Sequence, residues 1–211
     1  MTKALAESRW GERLDQGLSR MSLSVPADVG EHLLRFISLL LKWNKAYNLT
    51  AVRDPLEMVD RHLLDSLSVL PHLHGEEILD MGTGPGLPGI PLALLRPDAH
   101  FVLLDSNNKK IRFVRQVVLE LGIVNVIPVH ARVETYQPNH PFDTLISRAF
   151  TALPRMVELT RHLRAPGCRL LAMKGMVPED EIAGLPAGMI KEVIRLQVPF
   201  TDAERHLIIV E

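Results

Sequence analysis

The sequence has little cysteine, no excess of charge of either sign and no long apolar run. Cys168 is the only cysteine among 211 residues, which excludes an internal disulfide and is typical of a protein from a reducing compartment. The longest apolar stretches, such as 36–41, are far too short to cross a bilayer. The start of the chain is too charged for the core of a signal peptide. We therefore expect a soluble, cytoplasmic protein, and the lack of an exposed apolar repeat favours a monomer.

Several catalytic signatures are missing as well. The chain has no Cys/His spacing suited to a metal, no plausible Ser-His-Asp order and no phosphate loop in which lysine is followed by Ser or Thr. Its formal net charge is −1, from 24 basic and 25 acidic residues, so the composition gives no support to nucleic-acid binding. Such an interface would have to rest on where the basic residues lie and not on how many there are.

The part of the chain before residue 76 is predicted to be all-helical. Pro26 suits the first turn of a helix, and an apolar stripe at steps of three and four follows it over 29–47. A second helix is predicted after Pro55. We interpret residues 1–75 as a helical N-terminal extension, in which the segment before about residue 30 has no assigned role.

Two pairs of side chains in this extension have alternative interpretations. Trp43 and Tyr47 fall on the apolar stripe, so we expect them to pack in the core rather than to stack on bases. His62 and Asp65 lie three apart on a helix and can meet on one face. They form either a catalytic pair or a structural hydrogen bond.

Residues 76–211 alternate between short apolar strands and amphipathic helices. Strands are predicted at 77–81, 100–105, 125–130, 142–147 and 169–173, and helices at 87–95, 109–121 and 153–163. This order is typical of a parallel sheet covered on both faces. Two last strands, at 191–198 and 206–210, have no helix between them. We therefore predict an α/β domain with a doubly wound, mostly parallel sheet and an antiparallel terminal strand.

A glycine-rich loop between the first predicted strand and helix is the strongest local signal. Asp80 precedes Gly82, Gly84 and Gly86, which let the backbone approach a ligand closely. The helix that follows offers unpaired N–H groups to a polar or anionic group. Asp105, nineteen residues after Gly86, ends the next strand, where an acid can accept hydrogen bonds from a ribose diol. These residues are our candidates for cofactor binding.

The same loop also matches the dinucleotide-binding fingerprint Gly-x-Gly-x-x-Gly, at Gly84, Gly86 and Gly89. A nicotinamide- or flavin-dependent oxidoreductase is therefore an alternative. The acid just before the glycines, the interleaved prolines and the terminal strand pair argue against it.

Polar residues recur where the predicted strands end. Ligands of open α/β sheets bind at the carboxyl ends of the strands, so polar groups from independent strands at this edge predict a site. These residues are Asp80, Asp105, Arg132, Glu134, Ser147, Arg148, Lys174 and Gly175.

A basic cluster opens the helix after Asp105. Lys109, Lys110 and Arg112 lie where the helix dipole disfavours cations by about 0.3–1 kcal/mol each. RNA phosphate would offset this cost, whereas a solvated helix face is the alternative. With Lys174, these are our candidate RNA-binding residues.

Several segments resemble one known family, and they occur in its order and at its usual separations. They are 44–50, 61–67, 80–91, 104–106, 109–113, 131–134, 147–150 and 173–175. Over roughly residues 35–211 the chain resembles the bacterial 16S ribosomal RNA guanine-N7 methyltransferases, a family also called glucose-inhibited division protein B. The glycine loop alone indicates only a methyltransferase, whereas 44–67 and Ser147-Arg148-Ala149 are specific to this family.

The resemblance implies a class I methyltransferase fold with S-adenosylmethionine as its cofactor. It implies that Gly82 and Leu87 contact the methionine end of the cofactor, while Val133 and Glu134 flank its adenine. Arg148 is implied to lie beside the cofactor and the target, and it is the candidate catalytic residue. The implied substrate is a guanine of 16S ribosomal RNA, within the small ribosomal subunit or an assembly intermediate.

The resemblance also places Lys109, Lys110 and Arg112 on a basic face that meets RNA. Methylation of guanine N7 removes no proton, so the implied reaction needs no general base, in agreement with the lack of a convincing one. Three alternatives stay open: a methyltransferase of the same fold that acts on a protein or small molecule, an oxidoreductase, and a non-catalytic RNA-binding protein.

Overall fold

A seven-stranded sheet forms the centre of the molecule. The computed structural model describes residues 3–148 and 150–211, and the strand order is β3-β2-β1-β4-β5-β7-β6. The strands are β1 (Glu77–Met81), β2 (His100–Asp105), β3 (Val126–His130), β4 (Phe142–Arg148), β5 (Arg164–Lys174), β6 (Ile190–Arg195) and β7 (His206–Val210). Strands β1 to β5 are parallel, whereas β7 runs antiparallel to β5 and β6. The predicted sheet, with its antiparallel terminal strand, is confirmed.

Helices lie before the sheet and between its strands. They are α1 (Lys3–Arg20), α2 (Ala27–Tyr47), α3 (Pro55–Met58), α4 (Asp65–Leu67), α5 (Gly89–Leu95), α6 (Asn108–Leu121), α7 (Leu153–Leu159) and α8 (Glu179–Ala183). A π-helical turn, Val59–Leu64, joins α3 to α4, and 3-10 turns cover Leu70–His72, Val133–Thr135 and Arg161–Leu163. In the described part of the chain, no helix combines the length and the apolar character needed to span a membrane.

Local sequence accounts for where several helices begin and end. Asp54 accepts a hydrogen bond from the backbone of Glu57 at 2.9 Å, directly before the proline that starts α3. Asn107 accepts one from the backbone of Lys109 at 3.0 Å and caps α6. Helix α6 ends at Gly122, whose φ of +64° is the left-handed conformation that glycine adopts without strain.

The two faces of the sheet bury alternate residues of each strand. In β1, Ile78 belongs to one hydrophobic cluster and Leu79 to the other, as the two-residue period of a strand requires. The cluster of Ile78 also contains the buried residues of α2, α5 and α6, so the helical extension covers this side. Phe36 of α2 packs on Phe113 of α6, with ring centroids 6.3 Å apart.

Some elements differ from the predictions. The second predicted helix contains the π-helical turn, a rare irregularity that was not predicted. Helix α5 begins at Gly89 and not at residue 87, because the preceding residues form the glycine loop. Helix α1 lies within the predicted helical extension, although no bounds were predicted for it, and α8 was not predicted. Strand β5 begins five residues early, in a segment where Pro166 and Gly167 weaken the strand pattern.

The expectation for Trp43 and Tyr47 is half right. Trp43 packs against the core, with its ring 5.6 Å from that of Phe113. Tyr47 stacks on Trp43 at 5.2 Å but is 39% exposed, so its assignment to the core was wrong. Tyr47 is the last residue of α2 and lies beyond the buried residues of the helix, the last of which is Asn44.

Charged contacts dock α1 onto the rest of the extension. Arg13 donates two hydrogen bonds, of 2.9 and 2.8 Å, to the carboxylate of Asp60 in the π-helical turn. The guanidinium groups of Arg13 and Arg20 lie 3.5 and 4.3 Å from the ring centroid of Phe200, in the β6–β7 connection. Leu14 and Leu18 are buried beneath these contacts. Helix α1 therefore supports both the π-helical turn and the last hairpin.

We expect Arg13→Ala to lower the free energy of unfolding by about 1–3 kcal/mol, because it leaves the Asp60 carboxylate, 9% exposed, without its partner. Chemical denaturation measures the change. Arg155→Ala is the matched control, because its ion pair with Glu158 is exposed and should change stability by less than about 0.5 kcal/mol. Equal effects of the two substitutions would contradict the docking role of Arg13.

Candidate functional site

The glycine loop closes on the end of β2 through backbone hydrogen bonds. The amides of Gly82 and Thr83 both donate to the carbonyl of Leu104, at 2.8 and 3.0 Å. Gly82 and Gly84 have φ angles of +66° and +60°, which other residues adopt only with strain. A side chain on Gly84 would meet no atom nearer than 4.0 Å, so the space above this part of the loop is open. The loop is a preformed, open cradle.

Asp105 lies at the mouth of this cradle. One carboxylate oxygen accepts the amide of Gly84 at 2.9 Å, and the other accepts the amide of Asn107 at 2.7 Å. The ammonium of Lys110 lies 3.8 Å away. An ionised carboxylate has about four acceptor positions, so each oxygen can accept one more hydrogen bond. The arrangement fits an acid that holds a diol.

Asp80 supports the loop from below. Its buried carboxylate accepts the hydroxyl of Thr83 at 2.6 Å and the amide of Gly89 at 2.8 Å through the same oxygen. The other oxygen has no hydrogen-bond partner within the described residues. Burial raises the pKa of Asp80 to about 6, although both hydrogen bonds act in the opposite direction. Asp80 therefore shapes the loop and leaves one buried acceptor beside it.

The other predicted cofactor residues surround the cradle. Leu87 is buried and donates its amide to Thr83 at 2.8 Å. Val133 is buried after β3, while the next residue, Glu134, is exposed. The ring of Phe150 lies against Gly82, where an added Cβ would be 3.0 Å from it. A ligand that contacts Gly82 has to share this surface with the Phe150 ring.

Arg148 joins the sheet edge to the helical extension. It ends β4 and donates 3.0 Å hydrogen bonds to the Asp65 carboxylate and to the backbone carbonyl of Arg61. The second oxygen of Asp65 accepts Arg205, which precedes β7, at 2.9 Å. The side chain of Asp65 is only 2% exposed. Its charge is balanced by two arginines from separate parts of the sheet.

His62 and Asp65 have separate partners. The Nε2 atom of His62 lies 2.9 Å from the hydroxyl of Thr50, and Nδ1 has no partner among the described residues. Burial lowers the pKa of His62 to about 4, and the positive charge of Arg148 acts in the same direction. The imidazole is therefore neutral at pH 7. Neither predicted interpretation, a catalytic pair or a hydrogen bond between the two, describes this arrangement.

A cleft of about 350 Å³ opens beside Arg148, between the sheet edge and the extension. Met173, Lys174 and Gly175 line it from the end of β5, and 50–52 line it from the extension. The strand ends that were predicted to meet at one edge therefore do so, with Ser147 buried beside them.

The predicted RNA-binding residues differ in their surroundings. Lys109 and Arg112 are exposed at the start of α6, at the same sheet edge as the glycine loop. Lys110 turns toward Asp105. Lys174 donates to Glu181 at 2.8 Å and to the carbonyl of Thr151 at 3.1 Å, so its charge is balanced within the protein.

The sequence analysis did not identify Arg205 as a partner of Asp65 or Thr50 as a partner of His62. Arg205 lies in a polar connection, where nothing in the pattern marks it. Thr50 is held by Asn44, whose buried side chain accepts the Thr50 amide at 2.9 Å and donates to the Thr50 carbonyl at 3.1 Å. A polar side chain on the buried side of α2 is the signal from which this turn could have been found.

The strand order and the glycine cradle together define a class I methyltransferase fold. The N-methyltransferase NodS from Bradyrhizobium japonicum WM9, solved in complex with S-adenosyl-L-homocysteine, has this fold. It matches with a TM-score of 0.56 at 15% identity, over 81% of this chain and 97% of that one.

Sequence comparison then gives the family. The family model described as "rRNA small subunit methyltransferase G" matches residues 30–208. A protein named "Ribosomal RNA small subunit methyltransferase G" from Yersinia enterocolitica is 54% identical over 202 residues, which are 95% of this chain and 98% of that protein. One of the same name from Serratia proteamaculans is 51% identical over the same shares. The chain belongs to this family of methyltransferases.

We expect the titration of His62 to lower the free energy of unfolding as the pH falls from about 6.5 to about 4. In this range the unfolded chain binds a proton at His62 that the folded protein does not. His62→Gln keeps an amide for Thr50 and removes the titration. Between pH 7 and pH 5, the wild type should lose about 2 kcal/mol more free energy of unfolding than the variant.

The comparison of the wild type with His62→Gln measures the effect of His62 alone, because the opposite effect of Asp80 is the same in both proteins. The folded-state pKa of Asp80 is raised, so its contribution increases as the pH falls toward 4 and is common to both proteins. Urea denaturation at both pH values measures the difference. Parallel losses in wild type and variant would show that His62 is not buried in its neutral form.

Proposed function

We propose that this protein transfers the methyl group of S-adenosylmethionine to N7 of a guanine in 16S ribosomal RNA. The observation that carries the proposal is the meeting of the glycine cradle, Asp105 and Arg148 at one sheet edge, in a chain of this family. The names of the relatives support small-subunit ribosomal RNA as the substrate. Its site of action would then be the cytoplasm, on the small subunit or an assembly intermediate.

The residues of the cradle fit S-adenosylmethionine. Asp105 can accept the ribose hydroxyls with the lone pairs that Gly84 and Asn107 leave free. The buried Val133 and the exposed Glu134 suit the two sides of an adenine. The surface of Gly82 and the guanidinium of Arg148 would hold the methionine end and its carboxylate.

Bound in this way, the cofactor supplies a methyl group that is already electrophilic because it is bonded to a sulfonium. Guanine N7 carries a lone pair and no proton, so the side chains do not have to remove one. Their task is to bind the two reactants and align N7 with the methyl carbon. The neutral, buried His62 and the doubly paired Asp65 agree with a site whose side chains orient the reactants.

The basic residues at the start of α6 would bind RNA phosphate. Lys109 and Arg112 are exposed at the edge that holds the cradle, so they can contact a strand whose guanine enters the site. The ammonium of Lys110 lies 3.8 Å from the Asp105 carboxylate, and that of Lys174 is paired with Glu181. We therefore assign the main phosphate contacts to Lys109 and Arg112.

The decisive experiment uses methyl-labelled S-adenosylmethionine, the purified protein and small ribosomal subunits from cells that lack this enzyme. The RNA is digested, and 7-methylguanosine is quantified by mass spectrometry. A stoichiometric gain is expected. Cofactor binding without label in the RNA would favour a protein or small-molecule substrate, and failure to bind the cofactor would overturn the methyltransferase proposal.

We expect Arg148→Ala to reduce turnover by about 100-fold or more, because it removes a fixed positive charge beside the reactants. The fold should persist, because Asp65 keeps Arg205 as a partner. Arg169→Ala is the control, since it removes an arginine–carboxylate contact with Glu211 at the opposite sheet edge. Wild-type turnover of the Arg148 variant would refute its role.

We expect the affinity for RNA to fall steeply with salt, by about 0.7–0.9 in log K per log unit of salt for each phosphate contact. The double variant Lys109→Ala/Arg112→Ala should therefore reduce the slope by about 1.4–1.8. Filter binding at several salt concentrations measures it. The double variant Arg169→Ala/Lys191→Ala removes equal charge at the opposite edge and should keep the wild-type slope. Identical slopes in all three proteins would contradict the assignment.

A further inference from the structure

The cleft beside Arg148 exists only because the helical extension packs on the sheet edge. One wall is the end of β5, and the other comes from Thr50, Ala51 and Val52 of the extension. Its volume of about 350 Å³ lies at the lower end of the range for small-molecule sites, about 300–1,000 Å³. A larger groove of about 630 Å³ follows the β6–β7 connection, but Arg148 does not line it.

Arg148 separates this cleft from the cradle. Its side chain lines the cleft, and β4 pairs with β1 so that Ile146 lies opposite Asp80, which places Arg148 beside the start of the glycine loop. A molecule in the cleft is therefore the neighbour of a cofactor in the cradle. This is the placement that methyl transfer between two bound reactants requires.

The lining of the cleft suits an unstacked nucleotide. Ala51, Val52 and Met173 offer apolar surface against which a base can pack. Arg148 and Arg205 share the single negative charge of Asp65, so one positive charge is in excess beside the cleft and suits a phosphate next to such a base. Arg61 and Lys174 also line the cleft but are paired with Glu57 and Glu181. Asp65 is the only acidic side chain among the described residues that line the cleft, and it is paired with Arg148 and Arg205.

His62 supplies a directional group in this lining. The hydroxyl of Thr50 accepts the amide of Val52 at 3.2 Å and lies 2.9 Å from Nε2 of His62. When this hydroxyl donates to Nε2, the imidazole proton is on Nδ1, which has no partner within the described residues. The backbone carbonyl of Arg61 acts on this ring as an acceptor but already accepts Arg148 at 3.0 Å, so a bound ligand with its own acceptor would stabilise the buried N–H.

We infer that this cleft receives the target guanine, with Nδ1–H of His62 donating to O6 of the base. The inference rests on the proposed function and locates its second substrate. Guanine presents N7 and O6 as acceptors on one edge, and N7 must stay free to form the new bond. Adenine carries an amino donor in place of O6, so the same N–H disfavours it.

Ala51→Trp tests the cleft, because Ala51 is exposed in its wall and a bulky side chain there fills the space without entering the core. Methyl transfer to small subunits from cells that lack this enzyme should fall by about 100-fold. Binding of S-adenosylhomocysteine, measured by calorimetry, should change by less than about twofold, because the cradle is untouched. Ala187→Trp, in an exposed turn at the opposite sheet edge, is the matched control.

Two amide variants test His62. Asn places an amide near the position of Nδ1, whereas Gln places it near Nε2. We expect His62→Asn to retain about tenfold more methyl transfer than His62→Gln, because only the former keeps a donor for O6. A merely structural role of the Thr50 contact predicts the reverse order.

The outcomes separate the two proposals. If the wild type methylates RNA and Ala51→Trp does so at the same rate, the cleft is not the guanine site. Equal or reversed activity of the two His62 variants overturns the contact with O6. If the wild type binds S-adenosylhomocysteine but places no label in RNA, the proposed function itself fails, and the assignment of the cleft to guanine fails with it.

Discussion

The arrangement of the site depends on the ion pairs that the buried carboxylate of Asp65 forms with two arginines. A charge with 2% exposure is stable only when it is paired, and Asp65 has two partners, Arg148 from the end of β4 and Arg205 from before β7. These three residues lie far apart in the sequence and belong to the extension, the parallel part of the sheet and the terminal hairpin. Their contact fixes Arg148 at the edge and holds open the cleft beside it.

A second buried carboxylate performs a similar task at the glycine loop. Asp80 binds the hydroxyl of Thr83 and the amide of Gly89 with one oxygen, so the loop is shaped before any ligand arrives. Asp80 organises the backbone of the loop, and Asp65 organises two arginines. A reaction at guanine N7 needs positioning and no base, so this use of buried acids agrees with the proposed chemistry.

The helical extension is thus part of the site and not an appendage to it. Its π-helical turn carries Asp60 on the side facing α1, where Arg13 binds it, and His62 on the cleft. π-Helical turns often occur at functional sites, because the extra residue changes which side chains face a neighbour. Through Arg13 and Phe200, helix α1 connects this turn to the last hairpin. Helix α1 therefore bears on the geometry around Arg148.

The amino-acid pattern predicted the seven strands, the helices α5, α6 and α7 between them, and the edge where the site lies. Two-residue and three-to-four-residue apolar periods report burial directly, and the glycine loop, Asp105 and Arg148 follow from their places at strand ends. Local patterns do not reveal which distant charges meet. The Asp65 contacts, the neutral state of His62, the pairing of Lys174 with Glu181 and the exposure of Tyr47 depend on packing between segments far apart in the chain. Only the tertiary structure reveals these contacts and exposures, because burial and charge balance depend on neighbours in space and not on neighbours in sequence.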